Sequence, residues 1–184
     1  METKTKIGFI VEGDTDKSVV ETVARHLLGP NFHVHAVRLG GKAALPWAYA
    51  TALRLLGDKG YAHIVVVLDA DVSNDDPETI ERLAWQVRDQ FRTHGLEDST
   101  SICIAVPSIE AWLLSAYVEQ PEAVLDPKPD LVRHLGVPAL SPEVAERAAR
   151  ALDLTLARSR SPNFDHFART LEGLAMQHAR APAA

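Results

Sequence analysis

Two apolar runs, each followed at once by carboxylates, constrain the fold of this chain more than any other feature. The first run covers residues 7–11 and leads into the acidic segment 12–16, and the second covers residues 64–68 and leads into the acidic segment 69–71. Short runs rich in β-branched residues are typical of buried strands in a parallel sheet. Because such sheets bind ligands beyond the carboxyl ends of their strands, both acidic segments are expected at one edge.

The first 106 residues alternate between strand and helix patterns, which predicts an α/β, Rossmann-like fold. Predicted strands cover 6–11, 32–39, 62–68 and 101–106, and the intervening predicted helices cover 14–28, 45–56 and 77–93. Strands joined in this way form a mainly parallel sheet with right-handed crossovers. If the first and third strands are neighbours, the order is 2-1-3-4 and the two acidic segments lie side by side.

The alternation of strand and helix patterns ends after residue 106, and the sequence that follows predicts a helical extension at the C-terminus. Ser108 is the expected N-cap of a helix that follows the fourth strand. Further predicted helices cover 130–135, 142–152 and 162–177, within and after a proline-rich stretch at 119–142. We therefore expect an α/β core at 1–118 and a helical extension at 119–184, packed together as a single compact domain.

Composition and charge narrow the classes of function. A chain of 184 residues with a net charge of -6 and a pI near 5.7 has no broad basic surface. This argues against a protein that holds nucleic acid by phosphate neutralisation alone, although metal ions in an enzyme can neutralise phosphate locally. No apolar run approaches the ~20 residues of a membrane span, and the N-terminus leads directly into a strand. We expect a cytoplasmic protein without a membrane anchor.

Glu12, Asp69 and Asp71 are the leading candidates for chemistry. Each follows a predicted strand at the expected active edge. Residues two apart in an extended chain point the same way, so Asp69 and Asp71 can face one ion. Carboxylate oxygens are ligands that suit Mg²⁺ or Mn²⁺. The alternatives are a helix-starting acid for Glu12 and an ordinary polar loop for the Asp-x-Asp pair.

Glu110 and Asp16 are further candidate ligands with simpler explanations. Glu110 begins the helix after the fourth predicted strand, again at the same edge of the sheet. Asp16 lies in the first turn of the first predicted helix. An acidic side chain in either position is also explained by the favourable interaction of a carboxylate with a helix N-terminus.

Three basic residues could contact phosphate. Lys42 follows Gly40 and Gly41 in a turn after the second strand, and the glycines allow close backbone approach to a ligand. Arg158 and Arg160 form a local basic patch before the last predicted helix. The alternatives are a plain turn with a surface lysine, and a helix start at 161–163 in which the arginines have no role.

These motifs together resemble the TOPRIM domain of topoisomerases, bacterial-type primases and overcoming-lysogeny-defect (OLD) nucleases. The Gly40-Gly41-Lys42 turn, the block at 107–114 (PSIEAWLL) and the segment at 161–164 (SPNF) resemble small bacterial TOPRIM-like proteins similar to the nuclease portion of OLD proteins. The resemblance implies that Glu12 is a metal ligand or general acid/base and that Asp69 and Asp71 are Mg²⁺ ligands. It makes Glu110 a plausible additional ligand.

The resemblance implies a Mg²⁺- or Mn²⁺-dependent nuclease that cuts DNA or RNA in defence or repair. No topoisomerase tyrosine and no primase zinc-binding region is evident, and no P-loop is present, so an ATPase would be a separate partner. A homodimer is a further expectation. Two alternatives stay open: a non-catalytic subunit that binds a nucleotide or a protein, and a phosphotransfer receiver whose phosphoacceptor would be Asp69. No lysine follows the fourth strand, which disfavours the receiver.

Overall fold

A four-stranded parallel sheet forms the centre of the fold. The computed structural model describes residues 4–179, without the side chains of Lys42 and Ala179. The strands are β1 (Thr5–Val11), β2 (Phe32–Arg38), β3 (His63–Asp69) and β4 (Thr100–Ala105). Their order is β2-β1-β3-β4, and every neighbouring pair is parallel. The predicted fold class and strand order are confirmed, and the sheet is entirely rather than mainly parallel.

Helices flank the sheet and form the C-terminal extension. They are α1 (Asp14–Leu28), α2 (Ala48–Lys59), α3 (Pro77–Thr93), α4 (Ile109–Leu114), α5 (Pro127–Leu135), α6 (Pro142–Ala151), α7 (Leu154–Arg160) and α8 (Pro162–Ala179). Short 3-10 segments lie at Lys42–Trp47, Glu97–Ser99 and Pro121–Ala123. Among the residues 4–179, no helix is both long and apolar enough to cross a membrane.

The alternation of side chains along the strands divides the core into two layers. On one face of the sheet, Phe9 of β1 packs in a cluster with α1, α4 and α8, and its ring centroid is 6.3 Å from that of Phe167. On the other face, Ile10 packs in a separate cluster with α2 and α3. Because both faces are covered, β1 and β3 are almost continuously apolar, as expected for central strands of a parallel sheet.

The helical extension shares one of these layers with the sheet. Trp112 of α4 is fully buried, and its ring lies 4.8 Å from Phe167 and 5.5 Å from Phe164, both of α8. Residues of α5 and α6 belong to the same cluster as Phe9. Full burial of a large aromatic side chain contributes on the order of 2–3 kcal/mol, so this aromatic group is a principal contact between core and extension.

Several helix boundaries differ from the prediction, and α5 begins at Pro127 rather than at residue 130. The segment expected to begin α2 is a 3-10 turn at Lys42–Trp47, and α2 continues past Gly57 to Lys59 before Gly60 ends it in the left-handed conformation (φ 65°). A further helix, α7, precedes α8 and was not predicted from the sequence. Asp153 caps α7 by accepting hydrogen bonds from the backbone N–H groups of Thr155 and Leu156.

A buried carboxylate, Glu122, holds the start of α8. Its Oε1 accepts hydrogen bonds from the Ser161 hydroxyl (2.5 Å) and the Asn163 backbone N–H (2.8 Å), and its Oε2 accepts one from Asn163 Nδ2 (2.6 Å). Glu122 is 3% exposed and Ser161 is fully buried. The segment 161–164, which carries part of the TOPRIM resemblance, is therefore fixed by a partner in the proline-rich stretch.

The Glu122→Ala variant is expected to lose on the order of 2–4 kcal/mol of unfolding free energy, because three donors lose their charged acceptor. Chemical denaturation followed by circular dichroism measures the loss. The exposed Glu119→Ala variant, from the same loop, is the matched control and should change stability by less than about 0.5 kcal/mol. Equal stability of the two variants would contradict this role for Glu122.

His63 is a buried histidine at the opposite end of β3 from the acidic segment. Its Nε2 is 2.9 Å from the Ser101 hydroxyl. Burial, aided by the charge of His178, lowers the pKa of His63 to about 4. Its neutral form is therefore the one that the folded state holds.

The depressed pKa of His63 makes folding sensitive to acid. The neutral His63 side chain contributes fully to the free energy of unfolding above pH 6.5. This contribution is lost as the pH falls toward about 4, because the unfolded chain takes up a proton at a higher pH than the folded chain does. We expect the unfolding free energy of wild type to fall by up to ~3 kcal/mol more than that of His63→Gln over this range. The exposed His26→Gln variant should behave as wild type, and an identical acid response in all three would contradict the account.

Candidate functional site

Two hydrogen bonds join the ends of β1, β3 and β4 at one edge of the sheet. The backbone N–H of Asp69, at the end of β3, donates to Glu12 Oε1 at 2.9 Å. The backbone N–H of Ile109, at the start of α4, donates to Asp69 Oδ1 at 2.9 Å. Because β1, β3 and β4 are parallel neighbours, the carboxylates that follow them meet at this edge, as predicted from the strand order.

Backbone hydrogen bonds hold the surrounding loops in the same place. Gly41 N–H donates to the carbonyl of Glu12 at 3.2 Å, which brings the turn after β2 to the acidic edge. Asp71 N–H donates to the carbonyl of Pro107 at 2.8 Å, and the peptide bond that precedes Pro107 is cis. The loops that follow all four strands are thus tied to one another beside Glu12 and Asp69.

Four of the five predicted metal ligands act on one another electrostatically. Burial, and after it the charges of Asp16, Glu110 and Glu12 in that order, raise the pKa of Asp69 to about 9. The hydrogen bond from Ile109 opposes the shift. Carboxylates that share a confined site cannot all be ionised at low cost, so the cluster favours either a proton or a cation.

Asp16 belongs to this cluster and also lies in the first turn of α1. Its Oδ2 accepts a hydrogen bond from the Gly13 backbone N–H at 2.7 Å, which satisfies a donor at the helix start. Burial raises the pKa of Asp16, the bond from Gly13 lowers it, and the charge of Glu110 raises it again. The helix-start explanation and the candidate-ligand role therefore apply to the same side chain.

Glu110 lies buried at the start of α4, where Ser108 holds it. Ser108 Oγ donates to Glu110 Oε2 at 2.8 Å. Ser108 is the N-cap residue by position, as expected, but its hydroxyl does not cap the helix. Asp69 accepts the bond from the Ile109 N–H instead, which leaves the serine hydroxyl to orient Glu110.

Asp71 does not have the extended geometry that the sequence argument assumed. Its φ angle is 58°, in the left-handed region that non-glycine residues seldom adopt, and its side chain is exposed. The expectation that alternation along a strand aims Asp69 and Asp71 at one ion is wrong in its geometry, because β3 ends at Asp69. The role of Asp71 as a ligand stays a prediction.

Lys128 is a cation near the cluster that the sequence analysis missed. It lies in the first turn of α5, and its charge lowers the pKa of Asp16. The only local signal is a lysine between two prolines, Pro127 and Pro129. Nothing in the spacing indicates that the proline-rich stretch passes the acidic edge, since that path depends on the tertiary packing of α5 against α4.

The three predicted phosphate contacts have different outcomes. Lys42 begins the 3-10 segment beside the site, but its side chain lies outside the described part of the structure. Arg158 Nε donates to Asp165 at 2.7 Å, and its Nη1 donates to Glu172 at 2.5 Å. Arg160 Nη1 donates to the carbonyl of Ser115 at 2.9 Å. Arg158 joins α7 to α8 within the helical extension, and Arg160 joins α7 to the residue that follows α4. Their contact with nucleic acid stays a prediction.

The chemistry of the donor set suits a hard divalent cation. Glu12, Asp16, Asp69 and Glu110 offer only carboxylate oxygens, which Mg²⁺ and Mn²⁺ prefer over nitrogen or sulfur. A cation would relieve the mutual repulsion that raises the pKa of Asp69. Within residues 4–179, no three His, Cys, Asp or Glu side chains already stand in a metal-ligand arrangement. Side-chain movement would be needed to complete one.

Comparisons with protein-family models, curated proteins and solved structures find no match to this chain. The TOPRIM resemblance therefore stays a prediction that depends on the motifs. The site itself is argued from its hydrogen bonds and charges.

The raised pKa of Asp69 leads to a test of the acidic cluster. A pKa above the unfolded value means that stability decreases as the pH rises from about 4 to about 9, because the folded chain must release the Asp69 proton. The Asp69→Asn variant keeps an oxygen that accepts the hydrogen bond from the Ile109 N–H. It has no proton to release, so its folded state does not carry the free-energy cost of ionising Asp69. We expect it to be more stable than wild type at pH 8 without added metal.

Thermal unfolding between pH 5 and pH 9, with chelator present, measures the difference. The exposed Asp58→Asn variant, on α2, is the matched control and should follow wild type at every pH. An Asp69→Asn variant that is less stable than wild type at pH 8 would contradict the clustering of charge at Asp69.

Proposed function

We propose that this chain is a Mg²⁺-dependent nuclease of the TOPRIM/OLD type that hydrolyses phosphodiester bonds of DNA or RNA. The observation that supports the proposal is the gathering of Glu12, Asp16, Asp69 and Glu110 at the carboxyl edge of the sheet. Burial and the charges of the other three carboxylates together raise the pKa of Asp69 to about 9, and a cation held among them would relieve this repulsion. Divalent ions in such sites activate water and stabilise charge on a scissile phosphate.

The residues around the cluster have distinct tasks in this proposal. Glu12, Asp69 and Glu110 would hold the ion, with Asp16 and Asp71 as further ligands. Ile109 N–H fixes one oxygen of Asp69, and Ser108 fixes one oxygen of Glu110, so both carboxylates are pre-oriented. Such supporting hydrogen bonds set ligand orientation in metal sites.

Positive charge for the substrate comes from outside the acidic cluster. Lys128 is exposed at the start of α5, close enough to Asp16 to lower its pKa. A phosphate held between the ion and this ammonium would have its charge neutralised on two sides. The low overall positive charge of the chain is compatible with local neutralisation of this kind.

Trp47 supports nucleic acid as the class of substrate. Its side chain is 65% exposed, at the end of the 3-10 segment that follows the glycine turn bonded to Glu12. Exposed aromatic rings beside phosphate sites stack on the bases of single strands, which contributes about 1–3 kcal/mol per base. We propose that single-stranded regions bind along this segment, with a separate ATPase as partner in the cytoplasm.

Cleavage assays test the proposal directly. The purified chain, with Mg²⁺ or Mn²⁺, is incubated with plasmid, single-stranded DNA and RNA, alone and with any ATPase encoded beside it. We expect cleavage that chelator abolishes and that Glu12→Ala or Asp69→Ala reduces at least ~100-fold, because loss of supporting residues alone costs 10–100-fold. Asp58→Ala is the control and should cut as wild type. Intact substrates under all these conditions would overturn the proposal.

The second candidate is a non-catalytic subunit that binds a nucleotide or a partner protein. The net charge of -6 supports it, because an acidic surface suits a protein partner at least as well as nucleic acid. Calorimetric titration separates the candidates. Metal binding that Asp69→Ala removes supports the nuclease, whereas absent metal binding with tight nucleotide or protein binding supports the subunit.

A further inference from the structure

The helix α2 covers its face of the sheet only in part and leaves β2 open there. It packs on β1 and β3, and its Tyr49 ring stacks on His94 of α3 with the ring centroids 3.6 Å apart. One flank of α2 therefore faces α3, and the other flank faces β2. The β2 side chains of His33 and His35 are exposed. A groove remains between α2 and β2.

The floor of this groove is apolar and aromatic. The groove has a volume of about 440 Å³, and its lining includes Val37 of β2, Leu55 of α2 and Tyr61. A Cβ atom on Gly8 of β1 would lie 3.2 Å from Cδ1 of Tyr61, which is closer than ordinary van der Waals contact. Because Gly8 has no side chain, the Tyr61 ring can lie against the sheet.

Positive charge surrounds the groove, although the whole chain has a net charge of -6. Arg54 and Lys59 line it and are exposed. Lys6 Nζ lies 5.9 Å from the centroid of the Tyr61 ring and donates to the carbonyl of Lys59 at 2.9 Å. Asp58 also lines the groove, so three positive charges and one negative charge give a net of +2. Among residues 4–179, no carboxylate forms an ion pair with any of these three cations.

One face of α2 connects the groove to the acidic site. Trp47 is the N-cap of α2, and Thr51 and Arg54 follow it by four and seven residues, so the three lie on the same face of the helix. Trp47 also ends the 3-10 segment that follows the glycine turn bonded to Glu12. The 12 residues of α2 span ~18 Å. At ~3.4 Å per phosphate of a stacked strand, this length accommodates about five nucleotides.

We propose that the groove between α2 and β2 binds the single strand of nucleic acid that is cut at the acidic site. The strand runs from Trp47 past Arg54 to Lys6 and Lys59, with its phosphates facing the three cations. Proteins that bind single strands combine a positively charged groove with aromatic side chains on which bases stack. The inference rests on the proposed nuclease function for the position of the cut, whereas binding in the groove requires no metal.

Two carboxylates near the groove leave this role intact. Glu21 lies 3.5 Å from His35, but it forms an ion pair with Arg25 at 2.6 Å. Asp58 has the wrong sign to contact a phosphate, and its removal leaves all three cations in place. The Asp58→Ala variant therefore stays a valid control for cleavage at saturating substrate.

A strand fits the arrangement better than a free nucleotide or an acidic peptide does. A free nucleotide could fill the groove at Tyr61, but it would not reach Trp47 at the other end of α2. An acidic peptide could pair with the cations, but it has no base to stack on Trp47. Only a strand uses both the cations and the exposed ring.

Fluorescence anisotropy, with chelator present, tests the binding. Labelled single-stranded DNA and RNA oligomers are titrated with the full chain at low salt. We expect Arg54→Glu and Lys59→Glu each to raise the dissociation constant at least ~tenfold, because each reverses a charge that faces phosphate. Trp47→Ala should raise it at least ~fivefold through the loss of stacking. The matched control is Arg88→Glu, the same change at an exposed site on α3, and it should bind as wild type does. All four residues are exposed, so these variants should fold.

Hydrogen exchange locates the bound strand. Amides of β2 and α2 should gain protection when the oligomer is added, and amides of β4 should not. The inference is overturned if wild type binds no oligomer, if Arg54→Glu binds as tightly as Arg88→Glu, or if the protection lies elsewhere. Competition by poly-glutamate or by a free nucleotide at the same concentration as the oligomer would also overturn it.

Addition of Mg²⁺ to the same samples separates this inference from the nuclease proposal. Binding in the groove without cleavage would overturn the nuclease alone. Cleavage with a KM that Arg54→Glu and Lys59→Glu leave unchanged would overturn the role of the groove alone.

Discussion

The hydrogen bond from the Asp69 N–H to Glu12 is the contact on which the arrangement of the site depends. It joins β1 to β3 where the strand pairing of the sheet gives way to loops. The Asp69 carboxylate then accepts from Ile109 and so connects β3 to α4. The backbone N–H and the carboxylate of Asp69 thereby orient the segment after β1 and the start of α4. The other carboxylates of the cluster are placed relative to Asp69.

The gathering of carboxylates around Asp69 lowers the free energy of unfolding. A carboxylate that is partly buried among three others has a pKa near 9, so the folded chain at neutral pH holds a proton that the unfolded chain releases. The covered sheet and the aromatic group of Trp112, Phe164 and Phe167 supply the apolar burial that offsets such a cost. Concentrated, mutually perturbed carboxylates on an otherwise well-packed scaffold are characteristic of functional sites.

The sequence predicts the sheet and the acidic edge because both depend on local patterns. Apolar runs identify β1 and β3, and the rules for parallel sheets place Glu12 next to Asp69. Glu110 is found by the same reasoning, since it lies in the first turn of α4, the helix that follows β4. The turn geometry at Asp71 is not encoded in a recognisable way, because the left-handed conformation there occurs without glycine.

Contacts between segments that are far apart in the sequence cannot be predicted from local patterns. Glu122 holds Ser161 across 39 positions, and Lys128 reaches Asp16 across 112 positions. Neither pair has a spacing or a motif that connects it. The proline-rich stretch looked like a loop, whereas its tertiary path brings a buried carboxylate to α8 and a cation to the acidic edge. Arg158, which the sequence offered as a phosphate contact, has Asp165 and Glu172 as its partners for the same reason.

The central claim is that Glu12, Asp69 and Glu110 share one divalent cation. Anomalous diffraction from crystals soaked in Mn²⁺ tests it most directly, because the manganese signal locates the ion without reference to any activity. The account predicts a manganese peak at the carboxyl edge, within about 2.0–2.6 Å of oxygens from these three side chains. A peak elsewhere on the molecule, or no peak at saturating Mn²⁺, would contradict it.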